Sequence, residues 1–139
     1  VQNLKLLVAD DSVINQKVLS RMFQRMNVKS VTTAGNGRVA IDILWKILLE
    51  NPTSMPGLLF IDLHMPVLDG FSFIREVQKL KLDHSPLVVA CTADCTTELE
   101  ERCRESGFDD VIRKPVTFLQ LQSFVAKALH NEPHRLLVL

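Results

Sequence analysis

Short apolar runs alternate along this chain with longer segments in which apolar residues recur at helical spacing. Such alternation predicts parallel strands joined by helical crossovers. Three of the runs, the first, third and fourth, are almost wholly apolar, as expected for strands that helices cover on both faces. The sequence therefore predicts an α/β fold with strands at residues 4–9, 28–33, 58–61, 87–92 and 111–113.

The first helical segment carries apolar residues at fourfold spacing. This spacing predicts one face that packs on the sheet and another that contacts water. The residues predicted to pack inward are Ile14, Val18, Leu19, Met22, Phe23 and Met26, and those predicted to face water are Gln16, Lys17, Arg21 and Arg25.

Four more helical segments follow, at residues 37–49, after Gly70, after Cys95 and at residues 118–129. In the first of these, Trp45 is predicted to have a partly buried packing role, and the residues predicted to pack inward are Val39, Ala40, Ile43, Leu44 and Ile47. The segment after Cys95 is unlike the others, because residues 97–104 contain few large apolar side chains. It can therefore bury little apolar surface, and burial stabilises a fold by only ~25 cal/mol per Å2 of apolar surface. We expect this fourth helix to pack loosely and to shift, with weaker protection from hydrogen exchange than the central strands.

Length, charge and cysteine usage narrow the class of protein. The chain has 139 residues, a formal net charge of zero and 47% hydrophobic residues, which fits one folded domain and gives no basic footprint for direct nucleic-acid binding. Its three cysteines match neither a disulfide framework nor a zinc site. No apolar run reaches the ~18–20 residues of a membrane helix, so we expect a cytoplasmic domain without membrane contact.

Chemically reactive side chains stand at the ends of the predicted strands. Asp10 and Asp11 end the first, Asp62 the third, Thr92 the fourth and Lys114 the fifth. In an open parallel sheet the carboxyl ends of the strands share one rim, where ligands bind. We therefore expect these five side chains to lie close together.

This set of groups suits phosphoryl transfer. Neighbouring carboxylates repel one another without a cation, and hard oxygen ligands favour Mg2+, which also accepts phosphate oxygens. In-line transfer needs a nucleophilic oxygen, a metal, a further cation and a hydroxyl donor. Asp62, the metal held by Asp10 and Asp11, Lys114 and Thr92 fill these roles, and an aspartate is a known phosphoryl acceptor.

Each residue also has a simpler structural interpretation. An Asp-Asp pair after a strand is more often a turn with a helix cap, here formed by Asp11 or Ser12. Thr92 and Lys114 taken singly are ordinary strand-end residues. The functional interpretation is favoured because five chemically matched groups at one rim are not expected from capping alone.

Four segments containing these residues form a recognisable set: residues 7–12 (LVADDS), 62–70 (DLHMPVLDG), 91–93 (CTA) and 113–115 (RKP). Together they make the chain resemble the receiver domains of two-component response regulators, most of all those of hybrid histidine kinases. The segment that starts at Asp62 is the most specific. The resemblance spans nearly the whole chain and implies a receiver domain at residues 1–130 and a tail or linker at residues 131–139.

The resemblance implies a flavodoxin-like (βα)5 three-layer sandwich with strand order 2-1-3-4-5. It implies that Asp62 takes a phosphoryl group from a phosphohistidine, that Asp10, Asp11, Asp62 and the backbone carbonyl of His64 hold Mg2+, and that Thr92 and Lys114 contact the phosphoryl group. A cis peptide before Pro115 is also implied. The implied partner is a histidine kinase or a histidine phosphotransfer protein, and the downstream effector is not identified.

By the same resemblance the domain is a monomer or weak dimer without turnover of an external substrate. It could belong to the cytosolic part of a larger, membrane-anchored sensor kinase. The loosely packed fourth helix, with the fifth strand and fifth helix, is the expected output surface. The first helix and the loops near Asp62 are the expected contact for the phosphohistidine donor.

One departure from the family pattern bears on output, and two further positions bear on phosphoryl lifetime. Val111 stands three residues before Lys114, where receivers usually carry an aromatic switch residue. His64 and Asp94 occupy positions that in the family tune phosphoryl lifetime, although solvated loop side chains are the simpler interpretation.

Three alternative functions place different demands on the sequence. A phosphohydrolase with an aspartyl nucleophile would place it at the first strand with a second aspartate two positions on, unlike Asp10-Asp11. A flavin-binding domain needs a phosphate cradle of backbone donors where this chain is acidic. A pseudo-receiver would bind a partner without phosphorylation. The complete set of five rim residues argues against this function, although Val111 keeps it open.

Overall fold

The computed structural model describes the backbone of residues 3–137 and the side chains of residues 3–130. It contains one five-stranded parallel sheet of order 2-1-3-4-5, as predicted. The strands are β1 (Lys5–Ala9), β2 (Ser30–Ala34), β3 (Leu58–Asp62), β4 (Leu87–Thr92) and β5 (Asp110–Arg113). The helices are α1 (Val13–Arg25), α2 (Gly37–Glu50), α3 (Gly70–Lys79), α4 (Thr97–Ser106) and α5 (Phe118–Leu137), with a short 3₁₀ turn at Pro52–Ser54.

The apolar content of the strands explains the three layers. Every residue of β3 is buried, because β3 lies at the centre of the sheet and helices cover both its faces. Leu59 and Ile61 pack in the cluster beneath α2, α3 and α4, whereas Leu58 and Phe60 pack in the cluster beneath α1 and α5. Alternate side chains of one strand thus serve two separate cores.

Several strand boundaries differ by one or two residues from the predicted ones. β2 begins at Ser30, where pairing with Lys5 starts, rather than at Val28, which is buried but lies before the paired region. β5 begins at Asp110, one residue earlier than predicted. Apolar residues indicate where the chain is buried, and at Val28 the buried stretch begins before the hydrogen-bonded ladder.

The inward face predicted for α1 was partly wrong. Leu19 and Phe23 are buried, but Ile14 is 74% and Val18 is 49% exposed, and Gln16 is half-buried. A helix turns about 100° per residue, so a strict fourfold stripe drifts around it. Gln16 falls about 40° from the centre of the buried face and Ile14 nearly opposite that centre.

The second helix shows the same effect. Val39 was predicted to pack inward but is 42% exposed, whereas Ile41, absent from the predicted set, is fully buried. Trp45, for which we predicted a partly buried packing role, is 40% exposed.

The remaining helices confirm one prediction and correct another. Within α4 the one buried residue is Cys103, as expected from its polar composition. The fifth helix continues to Leu137, so its predicted end near residue 129 was wrong: Asn131 and Pro133 disfavour helix locally but do not end it. Whether residues 131–139 act as a linker stays a prediction, and residues 138 and 139 lie outside the described part.

Among the described residues no helix has the length and apolarity required to cross a membrane.

Candidate phosphoacceptor site

The two acidic residues after β1 differ in environment. Asp10 is 2% exposed; its Oδ1 accepts from the Ser12 backbone N–H at 2.8 Å. Ser12 is the residue that caps α1, its hydroxyl accepting from Asn15 N–H at 3.2 Å. The capping role thus falls to Ser12, and the exposed side chain of Asp11 is not used as the cap.

Asp62 ends β3 in the middle of the rim. Its side chain is buried, and its Oδ1 accepts from the backbone N–H of His64 at 3.0 Å. Its Oδ2 lies 3.1 Å from Nζ of Lys114. The imidazole of His64 itself is exposed, and ligation by the His64 carbonyl stays a prediction.

The loop after Asp62 is held by close backbone contacts. Gly70 donates its N–H to the carbonyl of Leu63 at 3.1 Å, and a Cβ at Gly70 would lie 2.9 Å from the Leu63 Cα. Val67, at φ 68°, stands between the Pro66 carbonyl and the Leu68 N–H, which hydrogen-bond at 2.7 Å in a γ-turn. The glycine in the Asp62 segment is therefore required by packing.

Thr92 and Lys114 come from the ends of β4 and β5. Thr92 is fully buried, and its Oγ1 accepts from the Asp94 N–H at 3.1 Å. Lys114 donates its backbone N–H to the Thr92 carbonyl at 2.9 Å, and its Nζ also lies 3.3 Å from Oδ2 of Asp10. The predicted cis peptide between Lys114 and Pro115 is confirmed.

Burial and charge shift the pKa values of the central pair. Burial raises the pKa of Asp62 above its ordinary value, despite the opposing hydrogen bond from His64 and the charge of Lys114. Burial lowers the pKa of Lys114, but the hydrogen bond and charge of Asp62, together with Asp10, outweigh burial and raise it. Lys114 is thus held as a cation beside the carboxylates.

The carboxylates also meet the requirements of a divalent cation. Oxygens of Asp10, Asp11 and Asp62 lie within 4.8 Å of one another. Mg2+ binds oxygen at about 2.0–2.1 Å in octahedral geometry and keeps several waters, so a small inward movement of three such oxygens suffices. The donor chemistry and the spacing therefore fit Mg2+.

A cleft extends from this rim between α1 and the segment after β5. It encloses about 350 Å3 and is lined by Asp10, Asp62 and Lys114 at its polar end and by Val18, Met22 and Val116 among its apolar residues. Cys91 borders the cleft as well, but burial raises the pKa of its thiol well above the ordinary value. Cys91 therefore behaves as the core residue that its position in β4 predicts.

The five rim residues predicted from the sequence thus lie together, but two features were missed. One is the inward orientation of Gln16, whose Nε2 lies 2.7 Å from the Asp10 carbonyl oxygen. The other is the exposed apolar surface of α1 beside the cleft. Helical rotation of about 100° per residue, applied from Leu19 and Phe23, would have indicated both.

Comparison with known proteins agrees with this geometry. The family model for the response regulator receiver domain matches residues 6–126. The peroxide stress-activated histidine kinase mak1 of Schizosaccharomyces pombe is 35% identical over 127 residues, covering 89% of this chain, and hybrid signal transduction histidine kinase K of Dictyostelium discoideum is 28% identical over 96% of it. The chain spans 7% and 11% of the lengths of these relatives.

A solved structure shows the same fold. The receiver domain of the histidine kinase CKI1 from Arabidopsis thaliana, complexed with Mg2+ and BeF3-, has a TM-score of 0.81 at 22% identity, over 93% of this chain and 91% of that one. The chain belongs to the response regulator receiver domain family. It is a receiver domain of two-component signalling, similar to those of hybrid histidine kinases.

Proposed function

We propose that this receiver domain accepts a phosphoryl group on Asp62 from a phosphohistidine of a histidine kinase or histidine phosphotransfer protein. The observation that carries the proposal is the placement of the Asp62 carboxylate between two further carboxylates, Asp10 and Asp11, and the Lys114 ammonium, 3.1 Å away. A buried aspartate with an adjacent cation and a metal-compatible acidic pair is suited to accept a negatively charged phosphoryl group.

The roles of the side chains follow from their positions. An oxygen of Asp62 forms the bond to phosphorus as the bond between phosphorus and the donor imidazole breaks. Asp10, Asp11 and Asp62, with the His64 carbonyl, would hold Mg2+, which neutralises charge on the transferred group. Lys114 donates to a second phosphoryl oxygen and the Thr92 hydroxyl to a third.

The proposed output is binding rather than turnover of an external substrate. Phosphorylation would bias two arrangements of the loop after Thr92 and of α4 and so change the surface made by α4, β5 and α5. Val111 is half-buried and packs against the apolar cluster beneath α4. We propose that this aliphatic contact takes the place of an aromatic switch, with the downstream effector binding the same surface.

The donor is proposed to bind across α1 and the cleft beside Asp62. Val13, Ile14 and Val18 expose 59%, 74% and 49% of their surfaces there. Lys17 and Arg21, both exposed, lie on the same side of the helix as these apolar residues. A partner with apolar residues bordered by acidic groups fits such a surface and would place its phosphohistidine over Asp62.

The three thiols are compatible with a cytosolic location. Cys91, Cys95 and Cys103 are free among the described residues, and reduced cysteines are typical of reducing compartments. We propose that the domain acts in the cytosol as a monomer or weak dimer.

Labelling with acetyl phosphate tests the proposal without a partner. The wild-type domain is incubated with Mg2+ and isotopically labelled acetyl phosphate, beside Asp62→Asn and a metal-free sample. Of these three samples, we expect label only on the wild-type domain incubated with Mg2+. The same lack of label on wild type and Asp62→Asn would instead support the pseudo-receiver, which binds its partner without phosphorylation.

A further inference from the structure

The amide of Gln16 lies behind the acidic pair, in the first turns of α1. Its Nε2 lies 2.7 Å from the backbone carbonyl oxygen of Asp10 and 3.4 Å from that of Ala34. Both neighbours are acceptors, so the amide nitrogen rather than its oxygen faces them. Gln16 therefore links α1 to the carboxyl ends of two adjacent strands, β1 and β2.

The two carbonyls stand where the strand ladder ends. Ala9 pairs with Ala34, and the Asp10 N–H donates the next bond, to the Ala34 carbonyl, at 3.0 Å. Beyond this point β1 leaves the sheet, and the carbonyl of the buried Asp10 needs a donor from elsewhere. Gln16 supplies that donor.

The carbonyl bound by Gln16 belongs to the peptide group that joins Asp10 to Asp11. Its orientation fixes the Cα positions from which the two carboxylates leave the chain. Asp10 is also held through its side chain, by the Ser12 N–H and Lys114, whereas the exposed Asp11 side chain relies on the backbone for its position. Gln16 is thus placed to set the spacing of the two carboxylates.

We infer that Gln16 is a positioning residue for Mg2+, holding the Asp10–Asp11 peptide so that both carboxylates face one cation. This inference rests on the proposed function, since it assumes that the acidic pair binds Mg2+. Residues that orient metal ligands without touching the metal contribute about 10–100-fold to metal affinity.

The test compares Mg2+ affinities of purified domains by titration with Mg2+ alone, followed through backbone amide chemical shifts. Gln16→Met keeps the length of the side chain and removes its donor, and Gln24→Met, at an exposed position of the same helix, is the matched control. We expect Kd for Mg2+ to rise about tenfold in Gln16→Met and to stay unchanged in Gln24→Met. An unchanged Kd in Gln16→Met would overturn the inference, even if the variant were less stable.

A second variant separates positioning from charge and also serves if Gln16→Met fails to fold. Gln16→Glu adds a negative charge near the acidic pair, which by Coulomb attraction alone would tighten Mg2+ binding. Because it loses the donor, we expect it to bind Mg2+ more weakly than wild type. Tighter binding would contradict the positioning role.

Labelling by acetyl phosphate gives an independent readout. The Mg2+ concentration for half-maximal labelling should rise about tenfold in Gln16→Met, while the rate at saturating Mg2+ stays within about twofold, because Gln16 touches neither the metal nor the phosphoryl group. A fall in the saturated rate alone would overturn the inference. Wild-type domain that neither binds Mg2+ nor labels would instead overturn the proposed function, and the inference with it.

Discussion

Helices α1 and α4 lie on opposite faces of the sheet, and their exposed surfaces differ in polarity. α1 buries Leu19 and Phe23 but leaves Ile14, in its first turn, 74% exposed. α4 buries Cys103 and is otherwise mostly polar at its surface. A firmly packed helix with an exposed apolar surface is suited to bind a partner, whereas a weakly packed polar helix is suited to move.

The apolar contacts that hold α4 come from Cys103, in the core cluster, and Leu99, which packs against it, and several others are polar. The Arg102 guanidinium lies 3.9 Å from the centroid of the Phe71 ring, and Nε2 of Gln78 donates to the Ser106 carbonyl at 2.9 Å. Exposed cation–π contacts contribute about 0.5–1 kcal/mol and an ordinary hydrogen bond about as much. We therefore expect α4 to open at a smaller cost in free energy than the central strands.

Hydrogen exchange measures this difference directly and should show the largest effect. In the unphosphorylated domain we expect amides of α4 to exchange about 100-fold faster than those of β3 and β4 by local opening. Amides in the second half of α1 should resemble the strands, because Leu19 and Phe23 anchor them. Equal protection in α4 and the central strands would remove the distinction between the two helices.

Transfer from a phosphohistidine donor should show the next largest effect. Replacing Ile14 and Val18 by Ser should slow transfer about tenfold, because the donor would lose its apolar contact. Labelling by acetyl phosphate, which needs no docking, should stay within about twofold. The matched control replaces the exposed Glu98 and Glu101 of α4 by Ser. If that control slowed transfer as much as the α1 variant, donor binding would not be a property of α1.

The N-terminal caps of α1 and α4 provide a test with a smaller expected effect of the difference between these two helices. Ser12 and Thr96 each accept from a backbone N–H three residues on, at 3.2 Å, and removal of such a cap costs about 1 kcal/mol. We expect Ser12→Ala to lower the free energy of global unfolding. Thr96→Ala should mainly speed exchange within α4, because α4 opens without the rest of the domain. Global destabilisation of similar size by both variants would show that α4 is not an independent unit.

The sequence predicted the five strands and the rim residues well, because both depend on composition along single runs. Asp62, Thr92 and Lys114 could be placed together from one general property of parallel sheets, that carboxyl ends share an edge. Gln16 and Ile14 could not be placed by fourfold spacing, since the face that a residue occupies depends on the helix rotation and on what packs against it. The sequence predicted an output surface, but it could not predict the contribution of Val111, because that contribution depends on how Val111 packs beneath α4.

The smallest expected effect concerns the cap of α3, the helix beside α4. Asp69 accepts from the Ser72 N–H at 2.8 Å, and this hydrogen bond lowers the pKa of Asp69 below its ordinary value. The contribution of the ionised Asp69 to the stability of the fold is therefore fully present above the ordinary pKa of an aspartate. It is lost as pH falls through the lowered pKa.

Asp69→Asn keeps a good cap but does not titrate, so its free energy of unfolding at neutral pH should lie within about 0.5 kcal/mol of wild type. On acidification the wild type should lose more stability than the variant, as chemical denaturation at several pH values would show. Thr96→Ala should follow the wild-type pH dependence, because threonine does not titrate. Parallel curves for Asp69→Asn and wild type would mean that Asp69 contributes no charge-dependent capping.

The most direct measurement of the central claim locates the phosphoryl bond itself. The domain is treated with acetyl phosphate and Mg2+, the acyl phosphate is reduced with borohydride, and peptides are sequenced by mass spectrometry to find the aspartate converted to homoserine. We predict conversion at Asp62 and none at Asp10 or Asp11, which lie within 4.8 Å in the same cluster. Conversion at either of those two residues, or at none of the three, would contradict the account.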